Sequence, residues 1–413
     1  MNTLVRRIAT LGLAGAALAA GAAGTGVPAF AAGPAAAVVG PAGAGAGAGL
    51  APLDPAALDA ALATRPGDAA AGAVARVGEP GQLWRGATVD AVTGKPIAPD
   101  AHFHIGSISK TFETVVVLQL AAEHRIDLDA SVQSYLPGLL PGSFDPITVR
   151  QLLDMTSGLP DVGADAPQQT VDEEIANRYE YRSFDQIIES TLRPEGRPWP
   201  GPRFTPGTKQ EYNSLGFRIA GRLIEQLTGK SFKDEVTARV LAPLHLDRTS
   251  VPEDDPRMPR PYLHGYLTDS RGTVVDVSEQ GGDPSNMIST TADLDHFVTG
   301  LFSGRLLPAA QLDEMFTIPR DSAGKPLPLN SGTSECVTGV ACYGAGLMAT
   351  PLPNGAMLWG KSGHDDGYSN GMFATRDLSL RGIYSVSTTT WAFGSAPALA
   401  NRLLGAALAP AKH

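Results

Sequence analysis

Ser107-Ile108-Ser109-Lys110 sets a hydroxyl and an amine three residues apart. On a helix, residues i and i+3 share a face, so the Lys110 amine can reach the Ser107 hydroxyl. A helical pattern opens near Ser107 and runs to about His124, with Phe112, Val115, Val116, Leu118 and Leu120 as its apolar positions. The start of such a helix offers unpaired N–H groups and the positive end of a dipole, both of which stabilise an oxyanion. A desolvated lysine loses its proton more readily and can act as a base. The chemistry this would allow is that of a serine hydroxyl with a base in reach at an oxyanion-stabilising helix start. S-x-x-K alone is common by chance, so the surrounding residues have to decide.

Other patterns compete for attention. Gly367-Tyr368-Ser369-Asn370-Gly371 fits G-x-S-x-G, but that elbow needs a helix after it, and Met372-Phe373-Ala374-Thr375 continues as strand. His102-Phe103-His104 has the spacing of a metal pair, yet no later cluster completes it, and it reads as a strand leading to the serine. Asp365-Asp366 reads as a solvated loop near the site mouth, and Arg203 as a surface residue. No metal and no organic cofactor is expected.

These residues need a scaffold. Ala73–Val77 and Leu83–Gly86, joined by a turn at Gly78-Glu79-Pro80-Gly81, predict a hairpin. Thr148–Met155 and Leu215–Thr228 predict helices, with Gly229 stopping the second. Ala356–Gly360, Gly371–Thr375 and Leu380–Ser387 predict adjacent antiparallel strands, and Ala396–Leu408 an amphipathic helix. Strand-rich ends around a helix-rich middle predict an α/β (α+β) fold of two lobes. Residues 54–106 and 265–408 would form the α/β lobe, an antiparallel sheet flanked by helices. Residues 107–264 would be an inserted, mainly helical lobe, and 409–413 a tail.

The chain has 413 residues, 43% of them hydrophobic, and a net charge of −10. That supplies a large core and argues against nucleic-acid binding, which needs clustered Lys and Arg. No acidic residue precedes Asp54. Met1–Arg7 is basic, Ile8–Val27 is apolar, and Ala29-Phe30-Ala31 is a small-x-small cleavage signal. Residues 1–31 therefore read as a secretory signal peptide, with a membrane anchor as the alternative. Residues 32–53, rich in Ala and Gly, read as a flexible tether. Export would place the protein outside the cell or on the wall. It would also expose Cys336 and Cys342 to an oxidising compartment, where a small disulfide loop is expected, the alternative being two buried thiols.

Longer stretches then carry a resemblance. Phe103–Phe112 resembles the nucleophile segment of the serine β-lactamase and DD-peptidase superfamily. Leu128-Asp129-Ala130-Ser131-Val132 with Tyr135-Leu136-Pro137 is similar to its "LDxxV…YLP" stretch. Ile147–Leu153 with Thr156-Ser157-Gly158-Leu159 is similar to "ITxRxLLxHTSGL", with Met155 in place of the His. Phe204–Thr208 with Tyr212–Phe217 resembles "FxPGTxxxYSNxGY". Ile288–Leu294 resembles the "STAxDL" turn, and Gly360-Lys361-Ser362-Gly363 the K-T-G or H-x-G strand. The likeness runs in order from about residue 54 to 408, and looks most like exported D-alanyl-D-alanine carboxypeptidases of the class C β-lactamase type. That type also includes esterases and D-amino-acid peptidases.

The resemblance implies that Ser107 forms an acyl-enzyme, that Lys110 takes or holds its proton, and that Tyr212 relays a proton to the leaving group. The Ser107 and His364 N–H groups would make the oxyanion hole. Lys361, Ser362 and Gly363 would line the opposite strand and bind an anionic or carbonyl part of the substrate. Ser214 stands where the family has Asn, so amide recognition falls to Ser214 or to Asn213. Met348, not Arg, follows the Tyr343–Leu347 "YGxGL" strand, which leaves Lys361 as the cation for a terminal carboxylate. The implied partners are a peptidoglycan stem peptide or a small ester or amide, with β-lactams as inhibitors and a monomeric chain. The implied activity is D-alanyl-D-alanine carboxypeptidase or transpeptidase action. The alternatives are an esterase or D-amino-acid amidase, and a catalytically silent penicillin- or wall-binding module.

Overall fold

A computed structural model describes residues 52–162, 169–194, 196, 200–330, 336–352, 355–390 and 398–408. The expected signal peptide, nearly all of the tether and the tail lie outside these residues. Among the described residues no helix is long and apolar enough to cross a membrane.

Two ends of the chain build one sheet. β1 (Ala70–Glu79) and β2 (Gln82–Ala87) form the N-terminal hairpin, and β3 (Met348–Pro351), β4 (Met357–Asp365), β5 (Tyr368–Thr375) and β6 (Arg381–Thr388) come from the C-terminal part. The order is β2-β1-β6-β5-β4-β3 and every pairing is antiparallel. The first turn is tighter than expected. The ladder runs on to Glu79 and Gln82, leaving Pro80 and Gly81 as the loop, with Gly81 at φ +83°. β4 also outruns its expected end at Gly360. Cross-strand pairing with β5 continues to Asp365 opposite Tyr368 and overrides the weak strand propensity of Lys361, Ser362 and Gly363.

Helices cover the sheet. α1 (Pro55–Leu62) packs with the C-terminal helix α9 (Ala398–Leu408) against β2 and β6. α7 (Thr291–Phe302) packs against β1, β5 and β6. The helical part centres on α2 (Ser109–Ala122), which follows a 3-10 turn at Gly106–Ile108. Sequence periodicity predicts one apolar face for this helix. Instead every residue from Ser109 to Leu118 is buried, Lys110 and Glu113 included. A helix surrounded on all sides is a core element. Phe112 stacks on Phe297 of α7 with centroids 3.7 Å apart, which ties α2 to the layer against the sheet.

Further helices are α3 (Val149–Leu153), α4 (Val171–Asn177), α5 (Phe184–Leu192), α6 (Leu215–Thr228) and α8 (Ala309–Met315), of which α6 and α8 pack on α2. α6 packs on α2, α3 and α5. Local sequence explains the boundaries. Thr148 and Gln151 form a capping box that starts α3. Gly229 adopts φ +70° and ends α6 as expected.

Candidate functional site

The 3-10 turn delivers Ser107 to the edge of β4. β3 pairs with β4 only as far as Gly360, so the residues beyond it are free of that neighbour and face Gly106–Ile108. The approach is close because two glycines permit it. A β-carbon on Gly363 would sit 1.9 Å from the Ile105 carbonyl oxygen. One on Gly106, itself at φ +52°, would sit 2.3 Å from the His364 carbonyl oxygen and 2.7 Å from its nitrogen. The Ser107 turn and the His364 backbone are thus neighbours.

Ser107 is half-buried and its hydroxyl is held from two sides. Its Oγ is 2.7 Å from the Tyr212 hydroxyl, and the Lys110 Nζ donates to it at 3.1 Å. Lys110 is 3% exposed, and its amine also lies 5.6 Å from the Tyr212 ring centre and 5.7 Å from that of Phe217. Burial pushes its proton affinity down. Arg218 acts in the same direction, while Glu113, Asp161 and Asp283 oppose it. An amine so placed can accept a proton from Ser107, and the phenol can pass one on.

Lys361 approaches Tyr212 from β4. Its Nζ lies 4.7 Å from the Tyr212 ring centre and 5.5 Å from that of Tyr343, and donates to the Ser362 carbonyl at 3.1 Å. It is 2% exposed. Ser362 beside it is more open.

The Tyr212-Asn213-Ser214 turn is fixed from behind. The Asn213 amide donates to the Leu159 and Pro160 carbonyls at 2.9 and 2.8 Å, and its oxygen accepts from the Gly216 N–H. Asn213 is therefore engaged in holding the turn, which removes the basis for expecting it to read a substrate amide. Ser214 is half-buried and starts α6. Met155, standing where the family pattern has His, is buried at φ +64°, and its sulfur accepts from the Asn213 N–H at 3.4 Å.

Sequence reasoning missed several groups at this site. Asp161 accepts the Ser214 N–H at 2.7 Å and the Val162 N–H at 2.8 Å, and burial raises its carboxyl despite those bonds. Arg218 pairs with Asp283 at 2.6 Å. Gln210 bridges the turn to Tyr343. None carries a motif signature of its own; tertiary contacts bring them together, Asp161 and Asp283 with the start of α6 and Gln210 with Tyr343. Arg203 is exposed, as expected of a surface residue, whereas Asp365-Asp366 depart from expectation. Arg203 makes a two-point pair with Glu211, next to Tyr212. The two aspartates are half-buried at the β4–β5 turn. Burial and mutual repulsion, with Glu174 of α4 nearby, push Asp366 up to about 8.

The readings of Ser369 and His104 as strand residues and of Cys336 with Cys342 as a disulfide agree with the structure. Ser369 is buried within β5, with no helix after it. His104 is buried in a two-residue strand beside Ile288–Ser289, its ring bonded to the Ser278 carbonyl at 3.0 Å. Cys336 and Cys342 form a disulfide with Cα atoms 5.5 Å apart. Among the described residues no group of His, Cys, Asp or Glu is placed to hold a metal.

Comparison with known proteins sharpens this picture. The Beta-lactamase family model matches residues 58–407. The chain belongs to the Beta-lactamase family. A D-stereospecific amidohydrolase from Streptomyces sp. is 30% identical, with a TM-score of 0.71 over 86% of this chain and 98% of that one. A D-amino acid amidase from Ochrobactrum anthropi SV3 shares the fold at 24% identity, with a TM-score of 0.68 over 85% of this chain and 97% of the other. Penicillin-binding protein 4* of Bacillus subtilis (strain 168) is 24% identical over 304 residues, 70% of this chain and 61% of its own. Protein flp of Staphylococcus aureus (strain MRSA252) is 26% identical over 207 residues, which span 49% of this chain and only 38% of that relative. The α/β fold with its antiparallel sheet is that of the β-lactamase-type serine hydrolases.

Proposed function

We propose that this chain is an exported serine hydrolase that cleaves amides of D-configured substrates through an acyl-Ser107 intermediate. The observation that carries the reading is the double contact on the Ser107 hydroxyl from Lys110 and Tyr212. Neutral Lys110 takes the Ser107 proton as Oγ attacks the substrate carbonyl. The oxyanion is received by the Ser107 and His364 N–H groups. Tyr212 gives its proton to the leaving nitrogen and regains one from the Lys110 ammonium, so the serine proton ends on Tyr212 and both side chains return to their starting state. Water then hydrolyses the ester, with Ser214, Ser362 and Gly363 lining the substrate's path and Lys361 steadying the Tyr212 phenolate.

Lys361 decides between substrate ends. It is the cation expected to receive a terminal carboxylate, yet it is buried against Tyr212, and Met348 adds no charge. That favours a neutral-ended D-amino-acyl amide or ester, in line with the likeness to the Streptomyces amidohydrolase. The second reading is D-alanyl-D-alanine carboxypeptidase action on peptidoglycan stem peptides with β-lactams as inhibitors. The likeness to penicillin-binding protein 4* favours it.

Intact-mass measurement with a p-nitrophenyl acyl ester and with a fluorescent penicillin tests the common core. One acyl group on Ser107 is expected, and none on Ser107→Ala. A Ser107→Ala protein that still acylates would sink the reading. Steady-state rates on a D-phenylalanine amide and on an N-acyl-D-Ala-D-Ala peptide then separate the two substrates.

A further inference from the structure

A buried acid lies one helical turn from the amine that touches Ser107. Glu113 follows Lys110 by three residues on α2, so both side chains leave the same side of the helix. Glu113 is fully buried, and neither carboxyl oxygen meets solvent or a partner in hydrogen-bond geometry. Arg218 and the Gly221 amide of α6, with Lys110 of α2, favour its ionised form. Burial, the largest effect, opposes it together with Asp283, itself paired to Arg218, and the balance raises the carboxyl to about 8. Lys110 is surrounded by the same charges with Asp161 added.

An apolar residue here would avoid the penalty of enclosing a carboxyl without hydrogen bonds. Such a penalty is retained most often where the group has a task. We propose that Glu113 is a positioning residue for acylation: through space, it sets how readily Lys110 holds the proton taken from Ser107. In its ionised form, which burial confines to about pH 8 and above, Glu113 offsets the repulsion from Arg218 and steadies the Lys110 ammonium that forms as Ser107 attacks. Once Tyr212 has been reprotonated, Lys110 is neutral again and the proton count on Glu113 is unchanged. The proposal rests on the acyl-Ser107 reading.

The test uses the full chain labelled with 13Cε-lysine, the Lys110 resonance being assigned by its loss in Lys110→Met. Glu113→Gln keeps the shape and removes the charge, so the Lys110 titration midpoint should fall by on the order of one pH unit. The limb of the acylation rate against pH that Lys110 governs should move the same way. Glu113→Asp, which keeps the charge, should restore both toward wild type. A folded Glu113→Gln protein with an unmoved Lys110 midpoint overturns the proposal. If Glu113→Gln does not fold, Lys110→Met decides. Coupling is reciprocal, so the Glu113 carboxyl must then titrate at higher pH, and an unmoved carboxyl overturns the proposal. Wild-type protein that never acylates would sink the acyl-enzyme reading, while the NMR titration still judges Glu113.

Discussion

The α-carbon of Gly106 faces the His364 backbone so closely that a β-carbon would stand 2.3 Å from the His364 carbonyl oxygen. This contact sets the nucleophile turn against the open edge of β4. It brings together two segments more than 250 residues apart in sequence, one from each end of the fold.

Gly106→Ala should therefore slow acylation sharply by moving the Ser107 turn away from the His364 backbone. The added methyl must push the turn off the strand, and φ +52° adds strain for any β-carbon. Loss of one oxyanion donor lowers rate by about 10²–10³-fold. Rates of ester acylation, with thermal unfolding as a control, check this. A folded Gly106→Ala protein of normal rate would mean that His364 does not serve the oxyanion.

Lys110→Met and Tyr212→Phe should each lower acylation by about 10²–10⁴-fold. Both contact the same Ser107 oxygen and exchange one proton, so their effects should not add. The double variant should fall little below the worse single variant. Additive losses would show two independent roles, contrary to the proton path proposed above.

Much of this site was legible in the sequence because its parts sit in contiguous words. Ser107 and Lys110 are one turn apart, and Tyr212 stands in a segment whose neighbours mark it. The β4 strand was legible to Gly360 from its residues and to Gly363 only through the family resemblance, since its run to Asp365 depends on pairing with β5 and not on local propensity. Glu113 was invisible as a site residue because periodicity treats it as the polar face of an amphipathic helix. Only the packing of α6 over α2 buries it. Asp161 and Asp365 were opaque for the same reason: burial, which raises both carboxyls, is a property of the assembled lobes.

Asp154 gives a stability test with a defined sign. It is buried beside Thr156, which donates twice to its Oδ1, yet burial dominates and pushes its carboxyl up to about 6 from 3.8. The native chain therefore binds this proton more tightly than the unfolded chain does. Its contribution to stability is full below about pH 4 and is lost as pH rises through about 6, by at most about 3 kcal/mol. Asp154→Asn should flatten that slope between pH 4 and 6 relative to wild type. Urea unfolding at several pH values measures it. Equal slopes in the two proteins would place the titration elsewhere.

Gln210 connects the disulfide loop to the segment that leads into Tyr212. Its Nε2 donates to the Asp154 and Tyr343 carbonyls at 2.8 and 2.9 Å, and its Oε1 accepts from the Cys342 and Tyr343 N–H groups at 2.8 and 3.0 Å. Tyr343 in turn lies 6.0 Å from Tyr212, ring centre to ring centre, and beside Lys361. Gln210→Leu leaves those buried backbone groups without partners and should destabilise by about 2–4 kcal/mol. Because Tyr343 then loses its anchor, acylation should slow as well. A Cys336→Ser, Cys342→Ser protein should lose about 2 kcal/mol, the effect of opening so short a loop, while its Gln210 bonds persist and its acylation rate stays near wild type. Chemical denaturation and ester acylation rates compare the two. If the serine pair slows acylation more than Gln210→Leu does, then the disulfide, and not the amide, is what holds Tyr343 against Tyr212.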